Sequence, residues 1–580
     1  MTTLCVWAPL AERMHAEVEG ESLEMAPGAV LGWWQVNVPA AKHGTDYAFC
    51  VDGGEPRPDP RSLWQPHGVH GPSRVYDQTQ FTWTDQHRRG VPLSGAVLYE
   101  MHIGTFTTDG TFDAAIERLD HLVDLGVDAV EVLPVAAYDG HHGWGYDGVD
   151  IYAVHEPYGG PDGFKRFIDA CHSRGLGVVL DVVYNHLGPS GNYLAEFGPY
   201  FTDHYQTPWG AALNYSTDYS DEVRRWAIDN ALMWMRDFHL DGLRLDAVHE
   251  IIDTRAIHLL EQMAAEVEAL TAHVRRPLFL IAESDLNDPR LVMAREGGGY
   301  GLSAQWADDV HHALHAALAN EQQGYYVDFG AISTLAEAFT TPYVLSGTWS
   351  TYRRRQHGRP LDRTTVPGYR FVTYLQNHDQ IGNRAAGDRL SANVPTSRLM
   401  VGSALLFCSA YTPMLFMGEE WGASTPWQYF TSFPNPSLAT AVRRGRRQEF
   451  REHGWREDDV PDPQDPATLE RSRLDWAEID KDGHRELLDW HRRLIALRRA
   501  HPELSDPRLA EVHTAYDDEA GWLVLYRGRI AVACNLADKR LGVPLAGHPD
   551  GVLLSSAGGF VFRPHEIELE PDSVAIVTYR

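Results

Sequence analysis

The central part of the chain alternates two textures. Short apolar runs rich in β-branched and aromatic residues recur as AVLYEMHIGTF (96–106), DAVEVLPV (128–135), GLGVVLDVVYNH (175–186), DGLRLDAVHE (241–250), PLFLIAESD (277–285), GLSAQW (301–306), YRFVTYLQNHD (369–379) and PMLFMGEEW (413–421). Between them, stretches such as FDAAIERLDHLVDLG and DGFKRFIDACHSRG repeat apolar residues at the spacing of one helix face. Eight strand-then-helix units predict an α/β chain closed into a (β/α)8 TIM barrel with inserted loops. An open doubly wound sheet is the alternative. It usually carries a glycine-rich phosphate turn after its first strand, and MHIGTF is not one.

The flanks read differently. LCVWAP, GWWQVNVP and TDYAFCVDG alternate with a period of two and are cut by Gly and Pro, which predicts a β-sandwich over 1–90. PRPDPRSLWQPHGVHGPS (56–73) has turn residues and no period, and is expected to be a loop packed on a neighbouring domain. The barrel is expected over 91–502, with a charged insertion at 436–475 and RELLDWHRRLIALRRA (485–500) as its last helix. GWLVLYRG, IAVACNLA and SVAIVTYR predict a second β-sandwich over 503–580. The uncharged run Leu399–Gly418 approaches membrane-spanning length, but Ser403, Ser409, Thr412 and Pro413 interrupt it. A buried helix followed by a strand is the expected outcome.

Composition narrows the function. Of 580 residues, acids outnumber bases 80 to 50, for a net charge of −30. Such a surface repels nucleic acid and anionic membrane and suits a neutral or cationic substrate, so neither is expected as a partner. The five cysteines are scattered and form no C-x-x-C pair, which disfavours zinc and disulfide frameworks and fits a reducing compartment. MTTLCVWAPLAERM lacks a basic segment followed by a long apolar stretch, so no signal peptide and a cytoplasmic location are expected. The 17 Trp and 25 Tyr could stack on sugar rings or simply fill cores.

The candidate chemistry lies where the apolar runs end. In such a barrel all strand C-termini meet at one face, where active sites lie. Here the third run ends Asn185-His186, the fourth carries Arg244 and Asp246, the fifth ends Glu283-Ser284-Asp285, and the seventh ends Asn377-His378-Asp379. A ring of ion pairs closing the barrel mouth would use the same residue types. Arg244 and Asp246, two apart on a strand, share a face, and a guanidinium holds a neighbouring carboxylate ionised. Asp246 therefore suits a nucleophile. Glu283 follows the apolar LFLIA, where burial raises a carboxyl toward general-acid duty. Two carboxyls pushed apart in this way are what glycoside hydrolysis needs, and Asp379 can steady an oxocarbenium-like charge. Asp181, Asn185, His186, Asp246 and Asp379 could in principle hold a divalent ion, but Arg244 beside the carboxylate disfavours a cation. No metal and no cofactor are expected.

DVVYNH (181–186), GLRLDAVHE (242–250), AESD (282–285) and QNHD (376–379) resemble, in order, the four motif regions of the α-amylase family of glycoside hydrolases. The resemblance implies Asp246 as nucleophile, Glu283 as acid/base and Asp379 as transition-state stabiliser. It places His186, Arg244 and His378 at the sugar ring, and Tyr146 in GWGYDGVDIYAV as the stacking tyrosine, with a structural aromatic as the alternative. The stretches QPHGVHGPS (65–73), HHGWGYDGVDIYAVHEPYGGPDG (141–163), TPWGAALNYS (207–216), AQWADDVHHALH (304–315) and GEEWGASTPWQYFTSF (418–433) are similar to family members that release trehalose from maltooligosyltrehalose. That similarity implies an immunoglobulin-like or carbohydrate-binding-type N-terminal sandwich. It also makes His249, Asp308, Asp309, His311, His312, Gln380 and Asn383 candidates for binding the trehalose end or adjacent glucosyl units. The expected activity is retaining cleavage of the α-1,4 bond next to trehalose, with a glucan-branching or debranching enzyme on the same scaffold as the alternative.

Overall fold

Each barrel strand is buried on both faces, as parallel strands wrapped in helices must be, and this is why the runs are continuously apolar rather than alternating. The computed structural model describes residues 2–452, 456 and 459–580. Its centre is a closed eight-stranded parallel barrel: β1 (Leu98–Met101), β2 (Ala129–Val132), β3 (Gly177–Val182), β4 (Gly242–Leu245), β5 (Phe279–Ala282), β6 (Ala304–Trp306), β7 (Phe371–Thr373) and β8 (Thr412–Phe416). All eight expected runs supply one strand each.

Leu98, Ala129, Val179, Phe279, Ile281, Ala304, Trp306, Val372 and Met414 fill the inside of the barrel. Toward the C-terminal rim the apolar filling gives way to charge. Glu100 pairs in register with Glu131 on the next strand, and Asp181 pairs with Arg244. All four are at most 2% exposed.

Two strands are shorter than their apolar runs. β6 keeps only Ala304–Trp306 of the 301–306 run. β7 stops at Thr373, and Tyr374–Gln376 continue as buried chain outside the sheet. The Asn377 side chain then accepts a hydrogen bond from the Gln380 N–H at 2.8 Å and caps the short helix His378–Gly382. His378 and Asp379 therefore stand on the first turn of a helix, not on a strand end as expected. Asn is among the strongest N-caps, and a cap here outcompetes further strand pairing.

The flanks form antiparallel sheets. Residues Thr2–Trp7, Ala26–Pro27 and Trp33–Val38 make one N-terminal sheet, and Met14–Val18, Glu21–Glu24, Asp46–Val51 and Ser73–Arg74 make the other. A five-stranded and a three-stranded sheet between Val512 and Tyr579 form the C-terminal pair. The 56–73 loop is tied to the barrel as expected: the Trp226 indole donates to the Pro60 carbonyl at 2.9 Å, and Arg61 pairs with Asp229 at 2.9 Å. The uncharged run splits into the helix Thr396–Cys408 and β8. Among the described residues no helix is long and apolar enough to cross a membrane. The 436–475 insertion contributes the helices Pro436–Glu452 and Pro466–Ser472, and His484–Ala500 is the last barrel helix.

Candidate active site

The rim chemistry is organised around Arg244. Its guanidinium is fully buried and lies 4.3 Å from the centre of the Trp306 ring, a cation–π contact that holds it without neutralising it. Its Nη1 donates to both oxygens of Asp181 at 2.9 and 2.8 Å and to Asp246 Oδ1 at 2.8 Å. Its Nη2 lies 3.8 Å from Glu283 Oε2. The other Asp246 oxygen accepts from Asn185 Nδ2 at 2.8 Å. Both Asp246 oxygens are thus held by donors, which fixes the carboxylate plane.

Asp246 is followed by a strained turn. Ala247 has φ 37° and ψ 52°, a left-handed conformation that a non-glycine residue adopts only when its surroundings impose it. The turn aims the Ala247 N–H at Glu283 Oε2, 2.7 Å away. Glu283 is therefore oriented by the chain that carries its partner carboxylate. Burial raises the Glu283 carboxyl; Asp246 and Asp379 add to this, while Arg244 opposes it.

Asp379 sits at the cleft mouth, with its side chain 40% exposed. His378 beside it is buried. Its backbone N–H donates to Glu100 Oε2 at 3.0 Å, its Nδ1–H donates to Glu100 Oε1, and its Nε2–H donates to the Tyr146 hydroxyl at 2.8 Å. The Tyr146 hydroxyl in turn donates to Asp181 Oδ2 at 2.6 Å. Burial disfavours a charged His378, but Asp379 and Glu100 outweigh it and push its pKa up to about 9. The ring is an imidazolium at neutral pH.

Two close approaches make this packing possible. A Cβ on Gly382 would lie 2.0 Å from the Trp144 ring, so only glycine lets the Asp379 helix sit against that indole. Gly145 has φ +105°, and a Cβ there would meet the Pro134 carbonyl at 2.1 Å; the loop bringing Tyr146 over Asp181 needs a residue without one. His186 Nε2 is 3.0 Å from the Tyr146 carbonyl, and its ring stacks on Trp209 at 4.3 Å. Trp209 is 51% exposed, whereas Trp421 and Trp427 are fully buried core residues. Of these three, Trp209 is the indole left exposed beside the site; Trp349, on the hairpin strand Thr348–Ser350, is 61% exposed.

The structure brings Asp246, Glu283, Asp379, Tyr146, His186, Arg244 and His378 together at one rim: Arg244 bonds Asp246 and lies 3.8 Å from Glu283, and His378 bonds Tyr146 and lies 3.3 Å from Asp379. The remaining candidates divide. Asp308 accepts from the Tyr374 hydroxyl, and burial with the nearby Glu283 charge pushes its carboxyl up to about 7. His312, on the same face of the helix Asp308–Ala319, lies against Tyr325 at 4.9 Å. His249 and Asp379 both act electrostatically on Glu283, Gln380 accepts from Tyr325, and Asn383 reaches Asp379 at 3.4 Å. Asp309 and His311 point elsewhere. Asp309 Oδ2 accepts from Asn287 and from the Leu345 N–H, both at 2.8 Å; His311 bonds the Leu375 carbonyl at 2.8 Å and the Tyr326 hydroxyl at 3.0 Å. Those hydrogen bonds are made within the fold, although Asp309 Oδ1 still lies 3.9 Å from His312 Nδ1, one helix turn on.

Several groups lie outside the sequence candidates. Glu100 is one; its signal was a charge inside the apolar run AVLYEM. Another is Arg353, whose Nη2 donates to Asp285 Oδ2 at 2.7 Å beside the half-exposed Tyr352. The segment carrying them has no motif, and only the hairpin Thr348–Ser350/Arg355–His357 brings it to the Glu283 side. Among the described residues no group of three His, Cys, Asp or Glu side chains is arranged to hold a metal ion.

The comparisons with known proteins agree with this geometry. Residues 83–209 match the model described as alpha amylase, catalytic domain, and 507–576 match a domain of unknown function, DUF3459. A crystal structure from Salmonella typhimurium, described as an alpha amylase, superposes with a TM-score of 0.91 at 37% identity, covering 100% of this chain and 97% of that one. A pullulanase from Anoxybacillus complexed with maltotetraose shares the fold, with a TM-score of 0.73 at 18% identity over 100% of this chain and 86% of its own. The malto-oligosyltrehalose trehalohydrolase of Arthrobacter ramosus is 53% identical over 93% of this chain and 94% of its own. That of Saccharolobus solfataricus is 41% identical over 86% and 85%. With such identity over nearly the whole of both sequences, the chain belongs to the malto-oligosyltrehalose trehalohydrolase family of α-amylase-type glycoside hydrolases.

Proposed function

We propose that the cleft hydrolyses the α-1,4-glucosidic bond next to the trehalose end of maltooligosyltrehalose, releasing trehalose and a maltooligosaccharide with retained configuration. The observation that carries the chemistry is a single guanidinium bonded to Asp246 and 3.8 Å from Glu283, with Asp246 held at both oxygens and Glu283 raised by burial. Asp246 attacks the anomeric carbon of the glucosyl unit adjoining trehalose. Glu283 gives its proton to the leaving O4, and trehalose departs. Glu283, now ionised, takes a proton from water, which frees the glycosyl unit from Asp246. Asp379 and the imidazolium of His378 face the ring during charge development, and Tyr146 and Trp209 offer it aromatic surfaces. The leaving-group side is the side of Glu283, so Asp308, His312, Tyr325, Tyr352 and the Asp285–Arg353 pair are placed for trehalose. In this reading residues 91–502 are the catalytic unit.

The test is product analysis on maltotetraosyltrehalose and on maltohexaose, substrates of equal sugar count. Rapid trehalose release with slow attack on maltohexaose is expected. Equal attack on both, or transfer to new α-1,6 branches, would refute the trehalose selectivity while leaving the retaining hydrolase chemistry in place.

A further inference from the structure

Trp349 is exposed, yet the segment that carries it is anchored. It lies on the first strand of the hairpin Thr348–Ser350/Arg355–His357, and 61% of its surface meets solvent. The hairpin is pinned at its base and at its turn. The Gly347 N–H donates to the His357 carbonyl at 2.7 Å, the Arg359 N–H donates to the Asn287 carbonyl at 3.1 Å, and His357 Nε2–H donates to the Asp285 carbonyl at 2.7 Å. In the turn, the Thr351 N–H donates to Asp328 Oδ2 at 2.8 Å and Arg353 holds the Asp285 carboxylate. A Cβ on Gly358 would lie 1.8 Å from the Leu345 carbonyl oxygen, so the chain leaves the hairpin as close to that backbone as only glycine allows. The indole is therefore presented by a fixed support and is not exposed by fraying.

Its surroundings have the chemistry of a sugar platform. Gln356 stands directly opposite Trp349 in the hairpin register, so its exposed amide lies on the same face beside the indole. Gln356 also lines a groove of about 280 Å³ between the second hairpin strand and the chain that follows Asp285. Asp288, Arg290, Arg355 and Arg359 line it as well, together with Leu286, which is 39% exposed. Arg290 pairs with Asp288 at 2.6 Å, which fixes a carboxylate in the groove. A pyranose ring offers an apolar C–H face and a rim of hydroxyls. The indole and Leu286 match the first; the amide, carboxylate and guanidinium groups match the second. A polyanion would use Arg355 and Arg359 but would leave the indole without a role.

We propose that Trp349, Gln356 and this groove form a second glucan-binding site, outside the catalytic cleft, that holds an α-1,4-glucan chain on the protein surface. This rests on the reading that the protein acts on an α-glucan. Residues 285–288 run from the candidate trehalose side into the groove, and the hairpin brings Tyr352 and Arg353 to the one and Trp349 and Gln356 to the other. Trehalose ends the substrate beyond the bond that is cut, so glucosyl units held here belong to a different chain or to a distant part of a long one. The site thereby raises the local concentration of long substrates at the cleft and leaves short ones unaffected.

The experiment is migration of the full chain through native gels containing glycogen, comparing wild type, Trp349→Ala and Trp349→Phe. Glycogen should retard the wild type. Trp349→Ala should weaken the apparent glycogen affinity about tenfold, and Trp349→Phe, which keeps a ring face, should restore most of it. In parallel, kcat/KM of Trp349→Ala should fall about threefold or more on a long-chain substrate and stay within about twofold of wild type on the shortest one that the wild type cleaves. A wild type that glycogen does not retard would overturn the proposal, as would a Trp349→Ala variant retarded as strongly as the wild type. An equal loss of kcat/KM on both substrates would also overturn it, by making Trp349 part of the cleft. So would retardation abolished at about 0.5 M salt, which would assign the groove to an anion. The gel needs no turnover, so a failure of trehalose selectivity leaves this test intact, and a negative gel leaves that selectivity standing.

Discussion

The hydrogen bonds between Glu100 and His378 give the sharpest handle on the site. Glu100→Gln keeps the shape and removes the charge. The His378 pKa of about 9 lies above the ordinary histidine value, on the order of 3 kcal/mol in favour of the imidazolium after burial has been overcome. Asp379 and Glu100 share that stabilisation. A hydrogen bond between charged groups contributes roughly 1.5–3 kcal/mol, so losing the Glu100 charge should lower the His378 pKa by about 1–2 units. There is a second cost. Glu100 accepts both the N–H and the Nδ1–H of His378, and a glutamine side chain offers one acceptor oxygen in place of two. One donor is left unpaired, at about 1–3 kcal/mol.

The two costs separate by pH. His378 has a folded pKa above its unfolded one, so its stabilisation is fully present below about pH 6.5 and is lost as the pH rises through about 9. The stability gap between wild type and Glu100→Gln should therefore be widest near pH 6 and shrink near pH 10 to the unpaired-donor part. The assays are calorimetric melting at the two pH values and the pH profile of kcat/KM, whose alkaline limb should move toward neutrality. An unmoved limb together with an equal melting gap at both pH values would refute the reasoning that Glu100 sets the charge of His378.

Other consequences follow from the same geometry. Asp246→Asn and Glu283→Gln should each cut turnover by roughly a thousandfold or more with an unchanged circular dichroism spectrum, and near-wild-type rates in either would remove the proposed roles. Arg353→Met leaves the Asp285 carboxylate without its cation beside the leaving group; KM should rise about tenfold with kcat little changed, and a loss confined to kcat would place Arg353 elsewhere in the mechanism. Burial pushes the Glu419 carboxyl up to about 8, so its contribution to stability is present below its ordinary value and is lost as the pH rises through about 8. Glu419→Gln should gain on the wild type in melting temperature between about pH 6 and pH 9, and a constant difference across that interval would contradict the shift.

The barrel was legible from the order of the apolar runs, since a strand covered on both faces must be apolar throughout, and eight such runs between helical patterns leave few other closures. Asp246, Glu283 and Asp379 were legible for a related reason: a charge at the end of a buried run has to face a cleft or a partner. What the linear pattern cannot carry is which way each side chain turns once the chain is closed. Asn377 looked like the end of a strand and became a helix cap, because capping is decided by the geometry of the next three residues. Asp309 and His311 looked like equals of Asp308 and His312, and tertiary partners distinguished them: Asn287 and the Leu345 N–H hold Asp309, and the Leu375 carbonyl and Tyr326 hold His311. Trp209, Trp421 and Trp427 were the same residue type until packing buried two and left one exposed beside His186. Glu100 and Glu131 sat plainly inside apolar strands, yet their meaning depends on adjacency across strands that the sequence separates by some thirty residues. Sequence order specifies the elements and the residue types at their ends; the partner that sets a buried group's charge is supplied by tertiary closure, because that interaction is short-ranged in space and blind to distance along the chain.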